Sequence, residues 1–152
     1  MLDLYEELRS ICSTLDAAGI VYALVGGLAV SIYATPRATK DIDILLEPAD
    51  LPGLATSLRP LGYEDLAAPM TFAGGRISIR RFTKLAGTEF LALDVLLPRD
   101  AALSGILARR QQVGGGSQRL WIAPVDGLIE LKRLRGSPQD LADIAALAGS
   151  AT

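Results

Sequence analysis

The 152-residue chain has no histidine and one cysteine, Cys12, and those two scarcities remove much of enzymology. Without histidine there is no Ser-His-Asp triad, no Cys-His pair and no imidazole general base. Zinc sites draw on His and Cys, so a lone Cys12 excludes fingers, ribbons and His-based catalytic zinc, and an intramolecular disulfide as well. Net charge is also scarce: −2, with a pI of about 5.1, which does not describe a polyanion binder overall. Chemistry is left to carboxylates, lysine, arginine, hydroxyls, backbone amides, or an oxygen-loving metal such as magnesium.

What the chain does have is apolar mass. Hydrophobic residues make up 50% and the mean hydropathy is +0.33, enough for a sizeable core in about one domain. Its charges are uneven: residues 1–75 hold 4 Lys+Arg against 10 Asp+Glu, whereas residues 76–135 hold 11 against 5. Two readings follow, a basic face able to receive phosphates or charges dispersed over the surface. Ala17 to Pro36 is uncharged for the length of a membrane span, yet Gly19, Gly26, Gly27 and Pro36 divide it into a buried strand, a turn and a buried helix. The acidic start (Asp3, Glu6, Glu7) is unlike a signal peptide, so the expectation is a soluble, cytoplasmic protein without membrane association.

Periodicity places the elements. Leu4, Leu8, Ile11 and Leu15 recur at helical spacing over 3–18, and Ile20 to Val25 is a short buried strand. Leu28 to Ala34 reads as a helix stopped by Pro36, Ile42 to Leu46 as a strand, and Pro48 to about Arg59 as a helix. Gly62 and Tyr63 open a short edge segment, followed by a loop with Pro69, Gly74 and Gly75. Ile77–Phe82 and Glu89–Leu97 form two strands around an Ala86-Gly87 turn. A helix over Ala101–Arg110, a loop at Gly114–Gly116, a strand at Leu120–Ile122 and helices at Val125–Arg135 and Pro138–Leu147 complete one α/β (α+β) domain, 1–152, with a mixed sheet flanked by helices.

Three signals carry chemistry. Val25-Gly26-Gly27 runs a strand into a helix start whose amides lie open to phosphate oxygens, although glycine pairs also serve as plain turns. Asp41 and Asp43 head the next strand on one face, about 6–7 Å apart by strand rise, within joint reach of a cation; alternatively both simply face water. Asp94 interrupts Phe90 to Leu97, where a lone carboxylate needs a metal, a solvated edge, or a salt bridge to a residue such as Arg80. Should the strands of Asp43 and Asp94 be neighbours, three carboxylates converge on a magnesium site that needs no histidine.

Gly26-Gly27, 13 intervening residues, Asp41-Ile42-Asp43-Ile44 and a later Asp94 resemble the signature of the nucleotidyltransferase fold of the DNA polymerase beta superfamily. The context Arg37-Ala38-Thr39-Lys40 is similar to small bacterial members, the AbiEii-type toxin and MNT-like nucleotidyltransferases and the lincosamide or aminoglycoside nucleotidyltransferases. Leu131-Lys132 through Asp140 and Asp143 is similar to the lysine-then-aspartate close of the AbiEii-type group. The resemblance spans about residue 4 to 148. It implies a nucleoside triphosphate as substrate and Mg²⁺ (or Mn²⁺) as cofactor. Asp41, Asp43 and Asp94 are implied as catalytic metal ligands, and Gly26, Gly27, Arg37, Lys40 and Lys132 as nucleotide-binding. Many members carry Ser where Gly27 stands, so that hydroxyl contact is missing. The implied acceptor is a tRNA or a cognate toxin or antitoxin protein, alternatively an antibiotic hydroxyl, and a catalytically silent nucleotide- or partner-binding domain is the third reading.

Local chemistry offers other roles for some of these residues. Arg37 and Lys40 also read as solvated loop residues, and Lys132 with Arg133 and Arg135 offsets a helix dipole. Ser137-Pro138-Gln139-Asp140 reads as an N-cap, a first-turn proline and a capping acid. Arg76, Arg80, Arg81, Arg109, Arg110 and Arg119 read either as RNA contacts or as surface.

Overall fold

The computed structural model describes residues 2–34, 36, 38–115 and 119–150. Its first helix, α1 (Leu4–Ala17), is capped by Asp3, whose carboxylate accepts the Glu6 amide at 2.9 Å, and it buries Leu8, Ile11, Cys12 and Leu15 as the spacing predicts. Next come β1 (Tyr22–Val25), α2 (Gly26–Tyr33), β2 (Ile42–Leu46), α3 (Leu51–Leu58), β3 (Tyr63–Asp65), β4 (Met70–Phe72), β5 (Ile77–Ala86) and β6 (Glu89–Pro98). The chain closes with α4 (Ala101–Ala108), β7 (Gln111–Val113), β8 (Leu120–Ile122), α5 (Val125–Arg135) and α6 (Pro138–Ser150).

Among the described residues the strands form one mixed eight-stranded sheet, ordered β3-β5-β6-β2-β1-β8-β7, with β4 also on β5. β2 runs parallel to β6 and antiparallel to β1, while β1 runs parallel to β8. The fold class expected from the sequence is therefore the one observed. The central strands are buried through Tyr22, Leu24, Ile42, Ile44, Leu93 and Val95. The helices α1 and α3 pack together, and α2 packs on α5 and α6.

The differences from the sequence reading are local. The second helix begins at Gly26, directly off β1, rather than at Leu28. The expected helix from Pro48 becomes α3 between two 3₁₀ turns, Pro48–Asp50 and Arg59–Leu61, each holding a proline in its first turn. The expected loop around Pro69 contains β4, and β7 follows α4; both are three-residue edge strands, too short to show a period. Of the expected Gly114–Gly116 loop, Gly116 lies outside the described residues.

The charge asymmetry is partly offset by contacts between the two halves. Lys84 reaches Glu7 at 2.9 Å, Arg80 pairs with Asp65, and Arg81 stands 3.6 Å from Asp41. Three acids of the first half thus meet bases of the second. No helix among the described residues is long and apolar enough to cross a membrane; the uncharged run is shared out over the end of α1, β1 and α2.

Candidate active site

The sheet register does what the separate motifs could not show by themselves. Along β2 and β6, Asp43 lies beside Asp94, and across the β5-β6 hairpin Arg81 lies opposite Asp94. Side chains of laterally paired residues point to the same face. One row across three strands therefore reads Asp43, Asp94, Arg81, and it lines a cleft of about 480 Å³. The same cleft is lined by Gly26, Gly27, Lys40, Asp41, Lys132, Arg135 and Asp140, and on its apolar side by Phe72, Ile79, Leu96, Leu128 and Leu131. Every site residue expected from the sequence and described in the structure is thus gathered here; Arg37 lies outside the described residues.

Gly26 fits its place for two reasons. Its φ of +71° is in the left-handed region, and a Cβ there would stand 2.2 Å from Asp43 Oδ2 and 2.8 Å from Asp43 Cβ. The turn from β1 into α2 therefore lets Asp43 pass close to the backbone. No side chain caps α2, and the first amides of a helix have no partner within it, so the Gly26-Gly27 corner offers donors to an anion in the cleft.

The acids are unequally compensated. Arg81 grips Asp94 with both arms of its fork, Nε to Oδ1 at 2.7 Å and Nη2 to Oδ2 at 2.9 Å. Its Nη2 also stands 3.6 Å from Asp41 Oδ2. This corrects the expected partner of Asp94, because Arg80 faces away and pairs with Asp65. Asp43 has no ion pair with a described residue. Burial, followed by the charges of Asp94 and Asp41, pushes its carboxyl up to about 7. Asp41 is also raised, chiefly by burial, with Arg81 opposing the shift.

Three carboxylates are hard oxygen donors of the kind Mg²⁺ and Mn²⁺ take, and Asp43, without an ion pair among the described residues and pushed toward neutrality, is where a cation would replace a proton. The donor chemistry fits such an ion. The spacing is not that of a preformed cage, since no group of three acids among the described residues is close enough to hold a metal, and a guanidinium is interposed.

Lys132 and Asp140 belong to one buried ionic cluster at the α5-α6 corner. The Lys132 ammonium, 7% exposed, stands 2.9 Å from Asp143 Oδ2 and 3.4 Å from Asp140 Oδ1. Asp140 takes both arms of Arg135, at 2.7 and 2.8 Å. It also accepts the Ser137 amide and hydroxyl at 3.1 and 2.7 Å, while its own amide donates to Ser137 Oγ at 3.1 Å. The reciprocal cap expected from the sequence is present. Burial pushes the Asp140 carboxyl up, but the hydrogen bonds from Arg135 and Ser137 outweigh it and hold the pKa well below the usual carboxylate range. Lys132 is therefore more than a dipole charge, being the counter-ion of two buried acids, of which Asp140 lines the cleft. The role of Arg81 was missed in the sequence, where it read as an RNA contact or as surface.

No family model matches the sequence, and no curated protein matches it. Solved structures do match the fold. A nucleotidyltransferase-type protein from Thermotoga maritima superposes with a TM-score of 0.64 at 11% identity, covering 86% of this chain and 83% of that one. The lincosamide antibiotic adenylyltransferase LnuA, bound to lincomycin, gives 0.62 at 13% identity, covering 94% and 95%. The antibiotic-resistance factor ANT(2″)-Ia, in complex with adenylyl-2″-tobramycin, gives 0.66 at 13%, covering 97% and 89%. The chain has the nucleotidyltransferase fold.

Proposed function

We propose that this chain is a metal-dependent nucleotidyltransferase, with residues 1–152 acting as one catalytic domain that transfers a nucleoside monophosphate from a triphosphate to an acceptor hydroxyl. The observation that carries it is the row Asp43, Asp94, Arg81 facing the Gly26-Gly27 corner across one cleft. The corner amides receive phosphate oxygens, and Lys40, exposed at the cleft rim, neutralises their charge. Lys132 contributes a fixed positive charge deeper in the wall, held in place by Asp143. Asp41, Asp43 and Asp94 would hold Mg²⁺ or Mn²⁺. Such an ion supplies Lewis-acid polarisation of phosphoryl oxygens and eases loss of the acceptor proton. The acceptor hydroxyl attacks the α-phosphorus, the α-β bridging bond breaks, and pyrophosphate leaves.

Two acceptor classes remain, a tRNA end or cognate toxin or antitoxin protein, and a small hydroxylated molecule such as an antibiotic. The ion pairs favour the small molecule. Of the arginines considered as RNA contacts, Arg76, Arg80, Arg81 and Arg109 are held by Asp100, Asp65, Asp94 and Asp126, which lowers the positive charge they offer a nucleic-acid backbone. The apolar side of the cleft, through Phe72, Ile79 and Leu96, suits a carbon framework. LnuA and ANT(2″)-Ia, which are bound to lincomycin and to adenylylated tobramycin, share this fold.

The test is purified protein with Mg²⁺, each α-labelled nucleoside triphosphate, and three acceptor pools: lincosamides with aminoglycosides, total tRNA, and cell lysate. Label transfer with pyrophosphate release, absent from Asp43→Asn, supports the reading. If no pool is labelled above the Asp43→Asn background, the chain is a silent nucleotide- or partner-binding domain.

A further inference from the structure

Arg81 lies where a cation would have to go. Both Asp94 oxygens accept its fork, and its Nη2 leans 3.6 Å from Asp41, so one guanidinium spans two of the three acids. A divalent ion at Asp94 competes with these N–H groups for the carboxylate and meets like charge as it enters. The pair is not sealed in the core: the Arg81 side chain is 38% exposed and that of Asp94 13% exposed. The guanidinium therefore has room to leave the carboxylate for another oxyanion in the same cleft, and phosphate oxygens match its fork as well as a carboxylate does.

We propose that Arg81 is a resident counter-ion that holds the acid cluster closed to divalent metal until a polyphosphate enters, whereupon the guanidinium turns from Asp94 to the phosphate. Metal and nucleotide then bind with positive coupling, because each removes an obstacle to the other. This rests on the nucleotidyltransferase reading for the identity of the polyphosphate, but its metal arm stands on Arg81 and Asp94 alone.

The experiment measures Mn²⁺ binding by calorimetry and by electron paramagnetic resonance, with and without a non-transferable α,β-imido triphosphate. The proteins are wild type, Arg81→Lys, Arg81→Met, Asp94→Asn and Arg81→Met/Asp94→Asn, each checked for a cooperative unfolding transition. Without nucleotide, Arg81→Met binds Mn²⁺ about tenfold or more tightly than wild type, and Arg81→Lys, which keeps charge but not the fork, falls between. The double variant loses the gain. Nucleotide tightens Mn²⁺ binding in wild type and does so less in Arg81→Met. Should a folded Arg81→Met bind Mn²⁺ no better than wild type while wild type still transfers nucleotide, Arg81 is only a structural partner of Asp94, and the proposal fails with the activity standing. A tightened Arg81→Met in a protein that transfers nothing leaves the counter-ion role intact and removes the nucleotidyltransferase reading. Arg81→Lys guards against loss of fold in Arg81→Met, since unchanged affinity in both rejects the idea.

Discussion

Replacing Gly26 by alanine separates two costs that usually arrive together. An L-residue at φ +71° pays about 1–2 kcal/mol for the left-handed backbone. At Gly26 the new methyl would also stand 2.2 Å from Asp43 Oδ2, 2.7 Å from Cγ and 2.8 Å from Cβ. The last of these is fixed to the β2 backbone, so rotation of the carboxylate cannot relieve it, and overpacking of this kind costs about 1–3 kcal/mol more. Gly19 supplies the control, with the same φ of +71° and nothing within 4 Å of its Cβ position. Gly19→Ala is therefore expected to cost about 1–2 kcal/mol, and Gly26→Ala about 2–5 kcal/mol, in urea unfolding with EDTA present. The second readout is catalytic: a displaced Asp43 abolishes nucleotide transfer in Gly26→Ala, whereas Gly19→Ala transfers at the wild-type rate at a temperature where both are folded. Equal destabilisation of the two variants, with transfer retained in both, would refute the close packing of Gly26 on Asp43.

The chain's lack of histidine opens a clean window for Asp43, because no other side chain ordinarily changes charge between pH 5 and 8. Its folded pKa of about 7 lies above the unfolded 3.8, so its stabilising contribution is complete below about pH 3.8 and is lost as pH rises to about 7, a total of up to about 4 kcal/mol. Metal-free wild type should weaken over that range, Asp43→Asn should weaken less because only the raised Asp41 is left, and Mn²⁺ should restore wild-type stability more at pH 8 than at pH 5; a flat wild-type profile in EDTA contradicts the burial argument. Lys132→Met leaves Asp143 and Asp140 buried without their ammonium and should cost about 3–5 kcal/mol of unfolding free energy, whereas Lys132→Arg should recover part of it. Ser137→Ala removes the cap of α6 and should cost about 0.5–2 kcal/mol, and the loss should be greatest above pH 4, where the depressed Asp140 carboxylate is charged in both states; equal stability of Ser137→Ala and wild type at pH 7 rejects the cap.

How much of this was legible beforehand depends on the range of each interaction. Asp41, Asp43, Gly26 and Gly27 announce themselves because alternation along a strand and a glycine corner are written within a few residues. The cap at Ser137 and Asp140 is equally local. Asp94 was visible as an acid in an apolar strand, but its partner required a count across a turn. In the β5-β6 hairpin Leu85 faces Phe90 and Ala86 faces Glu89, so stepping back four more residues sets Arg81 opposite Asp94 and Arg80 opposite Val95. A turn centred on Gly87 and Thr88 gives that register, whereas a turn at Ala86-Gly87 shifts every pair and sets Ile79 opposite Asp94, so the partner could not be read from the expected turn. The Lys132 cluster was harder still. Nothing in the spacing of Lys132 and Asp143 says that α5 and α6 turn back on each other at Gly136, whose φ of +66° ends the first helix in the left-handed region. The ion pairs between the acidic and the basic half were out of reach for the same reason. Glu7 and Lys84, or Asp65 and Arg80, meet only once the sheet order sets β3 beside β5 and packs α1 near them, and a charge count along the chain carries no information about that order.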